Sequence, residues 1–507
     1  MIKLHYSKIR FAALLLLLIP SVIFMLTWVK PLIGIPFVII LCAGLFCASK
    51  TDSRTIEVKA TTLIALAVLI LLWAFLSGQG GFFTQKSDHE IRNVILRDLI
   101  NYKWPVRYNE AGDISLVYYI GYWLLPALVG KAVIGVGGSF SAGWLVARIA
   151  LLIWTAVLIY TAFLLVLFKV GKSRRKAIYI TFAIFVLFSG MDAVGAITSP
   201  ANFLKHIEWW AAGTYQYSSM STQLCWVFNQ AVPAWLACAV AFNEKDEKSF
   251  AFIGLLLLPT SPLPLVGLAV YMLAFAVRDF VIALKGKKIG AFFKNIFTVQ
   301  NIAALVTLLP VFGLYYMNNA VSTDESGSGT PGLRFGFEQS YMIVVYIMFL
   351  FLEFGFLLLV LKNKKNRFES LVILCSLVAA PLITVGNASD FCMRASIPAL
   401  FLLMLMLMEY LVPELCSKRD KSIDKKSKEN QKRVQKFISV MLIFIIGAVT
   451  PMVEYTSSTI RFVQTKGECV TEYDYMKSLA ELPIKRKMNF VGTDSSNSAF
   501  YKYIAKK

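Results

Sequence analysis

The sequence predicts an all-α protein, a polytopic transmembrane helical bundle with about 11 to 13 hydrophobic segments. Hydrophobic residues make up 57% of the chain and charged residues 16%, against about 45 to 50% and about 25% in soluble domains. Mean hydropathy is +0.65. The apolar residues also occur in separate runs long enough to cross a bilayer, so the lipid bilayer is the expected solvent.

Eleven runs are candidate spans, with boundaries good to a few residues. They cover about residues 11–29, 32–48, 61–77, 142–168, 177–196, 223–242, 301–318, 341–361, 370–386, 396–413 and 437–453. The first run is too long for a signal peptide and no small-residue cleavage site follows it, so it is expected to be retained. Residues 250–277 contain Pro259, Pro262 and Pro264 and are predicted to form two short helices that fold back.

The net charge of +21 is explained by basic clusters between spans, which places these clusters in the cytoplasm. No nucleic acid binding is expected. Keeping all the basic clusters on one side of the membrane requires that residues 115–137 do not cross it. They are expected on the outer surface or as a re-entrant helix, and the tyrosines and tryptophan of the segment favour the headgroup level (Tyr118, Tyr119, Tyr122, Trp123).

The organisation that follows has three parts. Residues 1–60 form an N-terminal two-span hairpin, residues 61–453 a transmembrane core with an exterior loop at 78–141, and residues 454–507 a short exterior tail expected to pack over the bundle. The N-terminus is cytoplasmic in this arrangement. The composition, rich in Ile, Lys and Phe, favours a bacterial plasma membrane. The eight cysteines lack a CxxC pair, so neither a metal cluster nor a disulfide framework is predicted, although Cys392 and Cys469 could meet outside.

The most informative segment runs from Ser87 to Leu99, SDHEIRNVILRDL. Apolar residues recur at helical spacing, which predicts an amphipathic surface helix, and Ser87 with Glu90 suggests a capping box. A purely structural role would account for this pattern. In the functional interpretation, Asp88 is a general base or metal-binding carboxylate with Glu90 as a second candidate, and Arg92 or Arg97 binds phosphate.

Here the layout resembles the GT-C class of membrane glycosyltransferases, over about residues 61–453. In that class an acidic residue in the first large exterior loop acts at the active site, and the sugar donor is linked to a polyprenyl phosphate. The resemblance implies that Asp88 takes the acceptor's proton and that Arg394 or Arg92 holds the donor phosphate. The acceptor would be a glycan or lipid of the cell envelope, and a divalent cation is left open as cofactor. This chain has Asp88-His89-Glu90 where class members show an adjacent acidic pair or D-x-D.

Two further exterior clusters are candidates for substrate binding. Asp390 and Arg394, four residues apart, are expected to pair at a helix start, which is favoured over the alternative that Arg394 faces the same cavity as Asp88. His206 is a candidate second acid or base. It lies beside aromatic residues that are better explained as an interfacial belt (Trp209, Trp210, Tyr215, Tyr217).

A competing function comes from the ionisable residues inside the spans. Glu353 lies near mid-span and Arg148 in another span, and such residues are costly in lipid and usually functional. They would serve a transporter or flippase of lipid-linked sugars or other amphiphiles, with both residues in a central cavity. A third possibility is a non-catalytic partner in an envelope complex. The transporter needs Glu353 and tolerates loss of Asp88, whereas the enzyme needs Asp88.

Overall fold

The structure is a computed structural model that describes residues 1–49, 52–171, 173–197, 206–320, 332–333, 341–385, 389–417, 428–468 and 476–507. Helices account for most of it. The first ten are α1 (Tyr6–Thr27), α2 (Pro31–Ala48), α3 (Ala60–Leu76), α4 (Asp88–Asn101), α5 (Gly121–Gly135), α6 (Phe140–Val170), α7 (Arg175–Leu187), α8 (Asp192–Ile197), α9 (Met220–Trp226) and α10 (Phe228–Ala241). The others are α11 (Phe250–Leu255), α12 (Pro262–Lys285), α13 (Ile289–Ile296), α14 (Val299–Tyr316), α15 (Tyr341–Leu361), α16 (Arg367–Ala379), α17 (Asp390–Ala395), α18 (Ile397–Cys416), α19 (Lys428–Gln464) and α20 (Ile484–Lys487).

Strands are few and short. They are β1 (Ile2–His5), β2 (Thr55–Val58), β3 (Arg107–Tyr108), β4 (Ile114–Leu116), β5 (Gly332–Leu333), β6 (Ile383–Thr384) and β7 (Val491–Gly492). β1 pairs antiparallel with β2, β5 with β6, and β4 lies between β3 and β7. The β4–β7 pair joins the exterior loop to the C-terminal tail.

The predicted fold class is confirmed. Within the described residues, nine helices are long and apolar enough to cross a membrane, and three shorter apolar helices (α3, α5 and α10) accompany them. Many large apolar side chains on these helices remain exposed, as expected for helices that face lipid. The chain is therefore a polytopic helical membrane protein.

The basic segments gather at one end of the bundle, which we call the basic end. Arg10 at the start of α1 pairs with Glu244 after α10 at 2.5 Å. Lys169 at the end of α6 donates to the Phe242 carbonyl at 2.9 Å, and Lys176 in α7 donates to the Leu415 carbonyl at 2.8 Å. The predicted grouping of these clusters therefore holds. The cytoplasmic orientation of this end stays a prediction.

The opposite end, which we call the Asp88 end, carries α4, the loop before α9, α17 and the C-terminal tail. Val29, after α1, bridges to Ala505 in the tail. α19 continues to Gln464, so the segment from residue 454 begins as an extension of the last span rather than as a separate tail. Residues 476–507 then pack over the Asp88 end, as expected of the tail.

The proline-rich stretch after α10 folds back as predicted. α11 is only six residues long, and Phe250 at its start packs against Phe275 of α12, with ring centroids 5.1 Å apart. The second arm differs from the prediction because α12 has 24 residues and continues well beyond this contact. Proline at 259, 262 and 264 accounts for the break, since proline cannot continue a helix.

α5 packs inside the bundle, against α6. The Tyr122 hydroxyl bonds the Thr155 hydroxyl, halfway along α6, at 2.7 Å. Tyr118, Tyr122 and Trp123 are buried in the core. α5 approaches α6 closely because Gly130 faces Gly143, where an added Cβ at Gly130 would come within 2.8 Å of the Gly143 carbonyl oxygen. The aromatic side chains are therefore packing residues inside the bundle.

Candidate functional site

Asp88 opens α4 and pairs with Arg92 one turn later. Arg92 Nη2 lies 3.1 Å from Asp88 Oδ2, and the carboxyl side chain is 42% exposed while the guanidinium side chain is 5% exposed. Arg92 Nη1 also donates to the Trp226 carbonyl. The pair thus presents an accessible carboxylate whose cationic partner is fixed by a second contact.

Ser87 and Glu90, close to Asp88 in the sequence, do not form the predicted contact with each other. The predicted capping box is wrong, because the Ser87 side chain makes no capping hydrogen bond. Glu90 instead pairs with Arg486 of the tail at 3.1 Å, with both side chains at least half exposed. This surface pair directs Glu90 to the tail, so Glu90 has no contact that supports a catalytic role.

His89 is buried between Gln85 and the Cys225 carbonyl. Its Nε2 lies 2.8 Å from that carbonyl, which requires a donor, and its Nδ1 lies 3.1 Å from Gln85 Nε2. Burial lowers the pKa of His89 to about 3, and the charges of Arg92 and Lys86 act in the same direction. The contact with the Cys225 carbonyl opposes this decrease. His89 is therefore neutral and stacks on Phe228.

The face of α4 that carries Asp98 is covered by the C-terminal tail, while Asp88 and Glu90 stay exposed, so the predicted amphipathic pattern holds. Arg97 pairs with Asp98 at 2.9 Å. Asp98 is fully buried and accepts hydrogen bonds from Tyr108, from Ser478 and from the Leu479 backbone N–H at 2.9 to 3.1 Å. Burial raises the pKa of Asp98. Arg97 lies nine residues from Asp88, which is about 14 Å of helix rise. Its partner Asp98 anchors the tail. A phosphate role for Arg97 therefore gains no support.

The predicted Asp390–Arg394 pair is confirmed on α17. The Arg394 Nη1 to Asp390 Oδ1 distance is 2.6 Å, and the side chains are 43% exposed for Asp390 and 7% for Arg394. Nη1 also donates to the Asp390 carbonyl at 3.1 Å. The buried Arg394 Nε–H has no acceptor among the described residues. α17 therefore repeats the arrangement of α4, with an accessible carboxylate before a buried guanidinium.

The charges of both arginines act on one tyrosine pair, which was predicted to lie at the membrane surface. Tyr118 and Tyr119 lie with ring centroids 3.6 Å apart just before α5. Burial raises the pKa of Tyr118, and the positive charges of Arg92 and Arg394 both oppose that increase. Both arginines act on Tyr119 in the same way. The structure therefore brings the two Asp–Arg pairs together around Tyr118 and Tyr119.

His206 lies beside this site. Its ring stacks on Trp226 with centroids 5.0 Å apart, and the Trp226 carbonyl is the one that accepts from Arg92. Gln216 Nε2 lies 3.4 Å from His206 Nε2, and Gln216 Oε1 accepts from Ser389, the residue before Asp390, at 3.2 Å. Burial lowers the pKa of His206 to about 4, although the charges of Glu454 and Asp88 oppose this. His206 thus connects the two Asp–Arg pairs.

The interfacial-belt interpretation of the neighbouring aromatic residues is wrong for three of the four. Trp210, Tyr215 and Tyr217 are buried, and only Trp209 is exposed. Tyr217 donates to the Leu377 carbonyl in α16. These rings hold the loop against the bundle, because phenol and indole groups bury well when their polar atoms have a partner.

A second buried ion pair borders the site and was not predicted. Lys86 Nζ lies 2.8 Å from Glu454 Oε1, which also accepts from Trp226 Nε1 at 3.0 Å. Trp226 therefore contacts Arg92, His206 and Glu454. No spacing in the sequence relates these residues, which come from α4, from the loop, from α9 and from α19.

Metal and disulfide chemistry gain no support from the described part of the chain. No group of three or more His, Cys, Asp or Glu side chains there could hold a metal ion. Cys392 is buried as a reduced thiol that donates to the Gln216 carbonyl at 3.3 Å. Its suggested partner Cys469 lies outside the described residues.

The two residues proposed for a transporter cavity have different partners. Arg148 donates to the carbonyls of Gly80 and Gly81, each at 2.6 Å. Glu353 accepts from Trp210 Nε1 at 3.0 Å. A central cavity lined by both residues stays a prediction.

Comparison of the chain with protein-family models, with curated proteins and with solved structures gives no match in any of the three. The GT-C resemblance therefore rests on the layout and residues of this chain alone.

Proposed function

We propose that this protein is a membrane glycosyltransferase-like enzyme of the GT-C type. It transfers a sugar from a polyprenyl-phosphate-linked donor to a cell-envelope acceptor, a glycan or a lipid, on the outer face of the membrane. Asp88 is the general base, and Arg394 with Arg92 holds the donor phosphate.

The observation that carries the proposal is the convergence of Asp88–Arg92 and Asp390–Arg394 around Tyr118 and Tyr119. The two pairs come from helices far apart in the sequence. A transferase that uses a lipid phosphate needs a base and a cationic phosphate site within one cavity. Four of the residues selected from the sequence for these roles are brought to one place.

The accessibility of each group fits its assigned role. Asp88 is nearly half exposed, so an acceptor hydroxyl can reach its carboxylate. Arg394 is buried and its Nε–H lacks an acceptor, and an unpaired buried donor is costly unless a ligand supplies the acceptor. A phosphate oxygen is a suitable acceptor because guanidinium groups bind phosphate through paired hydrogen bonds.

The position of the site also suits a lipid-linked donor. The Asp88 end is opposite the basic end, and the positive-inside rule places the basic end in the cytoplasm. The site then faces the outer leaflet, where the phosphate of a polyprenyl-linked sugar lies at headgroup depth. The cytoplasmic orientation and the bacterial plasma membrane are part of this proposal.

The test is sugar transfer by the purified protein in liposomes that contain polyprenyl-phosphate-linked sugars. Asp88→Asn keeps the oxygen that accepts from Arg92 but removes the base, and general-base loss costs about 100-fold or more in rate. Glu90→Gln is the matched control and retains transfer. Full transfer by a folded Asp88→Asn protein would refute the proposal.

Transport or flipping of lipid-linked sugars is the second candidate. It is favoured by one observation, the burial of Asp192 and Glu353 inside spans, because buried ionisable residues in membranes usually serve a function. A transporter loses activity on Glu353→Gln and keeps it on Asp88→Asn, which is the reverse of the transferase.

A further inference from the structure

Three carboxyl side chains that the transferase proposal does not use lie near one another inside the bundle. They are Asp192 at the start of α8, Glu208 in the loop before α9, and Glu353 in α15. All three are buried, and the charge of Asp192 acts on both glutamates. Carboxylates that are buried together repel one another strongly because the protein interior screens charge poorly.

The carboxyl groups of Asp192 and Glu353 lie within hydrogen-bonding reach of each other. Asp192 Oδ2 accepts from Ser189 and Thr450 at 2.9 and 3.0 Å, and Glu353 Oε1 accepts from Trp210. The remaining oxygens, Asp192 Oδ1 and Glu353 Oε2, are buried and receive no donor from the described residues. An ionised carboxylate has no hydrogen to donate, so this contact requires a proton on one of the two groups.

The backbone holds the two groups together. An added Cβ at Gly190 would come within 1.9 Å of Glu353 Oε2, and the Met191 N–H donates to the Leu352 carbonyl at 3.3 Å. α15 is π-helical over Phe351–Gly355, a local widening that often occurs at functional positions. The described residues offer no three-ligand group for a metal ion there, so a proton is the ligand that fits.

We propose that Asp192 and Glu353 share one proton at neutral pH and form a proton-binding site inside the bundle. This proposal does not depend on the transferase activity.

The shared proton stabilises the loop that carries His206. Trp210 is bonded to Glu353, and Glu208 accepts from the Ser219 N–H at 2.9 Å and from Gln216 Nε2 at 3.3 Å. Gln216 in turn contacts His206. Loss of the proton at alkaline pH leaves two adjacent negative charges, which repel and loosen the loop beside the Asp88 site.

The other groups around the pair do not compensate that charge. Glu208 is the third charged group that acts on it, and burial together with the charge of Asp192 raises the pKa of Glu208 to about 8. Ser189 and Thr450, which contact Asp192, carry no charge. Alkaline pH therefore removes protons from both the pair and Glu208, and variants of the pair are needed to separate the two contributions.

Infrared spectroscopy of the whole protein in lipid discs tests this directly, because a protonated carboxyl group has a carbonyl stretch resolved from carboxylate bands. At neutral pH the wild-type spectrum minus that of Glu353→Gln is expected to show a protonated-carboxyl component that disappears at alkaline pH. Glu454→Gln is the matched control. Glu454 is a buried glutamate paired with Lys86, and its substitution leaves that component unchanged.

A second measurement covers the case in which the spectra are altered by misfolding. Glu353→Gln supplies an amide hydrogen in place of the shared proton, so its thermal unfolding temperature is expected to fall less from neutral to alkaline pH than that of the wild type, while Glu208 still titrates in both proteins. A missing protonated component at neutral pH, or one that keeps its full intensity in both Glu353→Gln and Asp192→Asn, would overturn the proposal. An equal alkaline fall in wild type and Glu353→Gln would also overturn it.

Discussion

Arg92 and Arg394 are each paired with an aspartate four residues earlier, and both act on the same two phenols, Tyr118 and Tyr119. Each guanidinium is buried while its carboxylate is accessible. Because α4 and α17 are far apart in the sequence, this convergence depends on the whole bundle. It gives the Asp88 end one site with two accessible carboxylates and two buried cations.

Arg394 is expected to contribute more to phosphate binding than its charge alone. Arg394→Lys keeps the charge but loses the unpaired Nε–H and the planar fork. A hydrogen bond to a charged group is worth about 1.5 to 3 kcal/mol, so binding of polyprenyl phosphate in detergent should weaken roughly 10- to 100-fold. Arg433→Lys, at an exposed pair with Glu414, is the control and should not change binding. Equal binding by Arg394→Lys would argue against a phosphate site.

His206 should make the protein sensitive to acid. The folded protein lowers the pKa of His206 from 6.5 to about 4, so the unfolded chain binds more protons between these values. Stability therefore falls as pH decreases through this window, by up to about 3 kcal/mol. Thermal unfolding of His206→Gln between pH ~4 and ~7 should show a weaker acid dependence than the wild type. His5→Gln, a change in β1 at the basic end, is the control, and an unchanged acid dependence in His206→Gln would contradict the assignment.

Asp98 should anchor the C-terminal tail. Asp98→Ala leaves the donors of Tyr108, Ser478 and Leu479 without their buried acceptor, which is expected to cost about 3 kcal/mol. Limited proteolysis should then cleave residues 476–507 faster than in the wild type. Arg486→Gln removes only the exposed pair with Glu90 and should cost less than about 1 kcal/mol. If both variants resist protease equally well, the tail is held by other contacts.

The sequence predicts the helices and one of the two Asp–Arg pairs because both depend on local pattern. Apolar runs define spans by length alone, and Asp390 with Arg394 has helical i,i+4 spacing. The predicted interfacial belt failed because a distant segment covers its residues, since contacts with α15 bury the loop that carries Trp210. The burial of Asp98 under the tail depends on a distant segment in the same way.

The pairing of Asp192 with Glu353 also depends on contacts between distant segments. Glu353 was noted as an ionisable residue within a span, but hydropathy gives no information on which spans are neighbours, so its pairing with Asp192 could not be predicted. Only the packing of α8 against α15 brings them together. Likewise Tyr118 and Tyr119 could not be related to Arg92 and Arg394, because the position of α5 inside the bundle depends on close contact between Gly130 and Gly143.

The orientation of the bundle can be read from thiol labelling. Single cysteines at positions 88, 131, 205 and 390 in a functional cysteine-free protein should react with a membrane-impermeant reagent from outside, whereas a cysteine at position 172, in a basic cluster, should not. The positive-inside rule is the physical basis. Labelling of positions 88 and 172 from the same side would contradict the outward orientation and favour the transporter.

The central claim is that Asp88 and Asp390 border one site for a lipid-linked phosphate. Single cysteines at positions 88 and 390 can be labelled with and without polyprenyl phosphate, with a cysteine at the exposed tail position 486 as control. The account predicts that the lipid phosphate slows labelling at both 88 and 390 and leaves 486 unchanged, while polyprenyl alcohol has no effect. Protection at only one of the two positions, or at neither, would contradict a shared site.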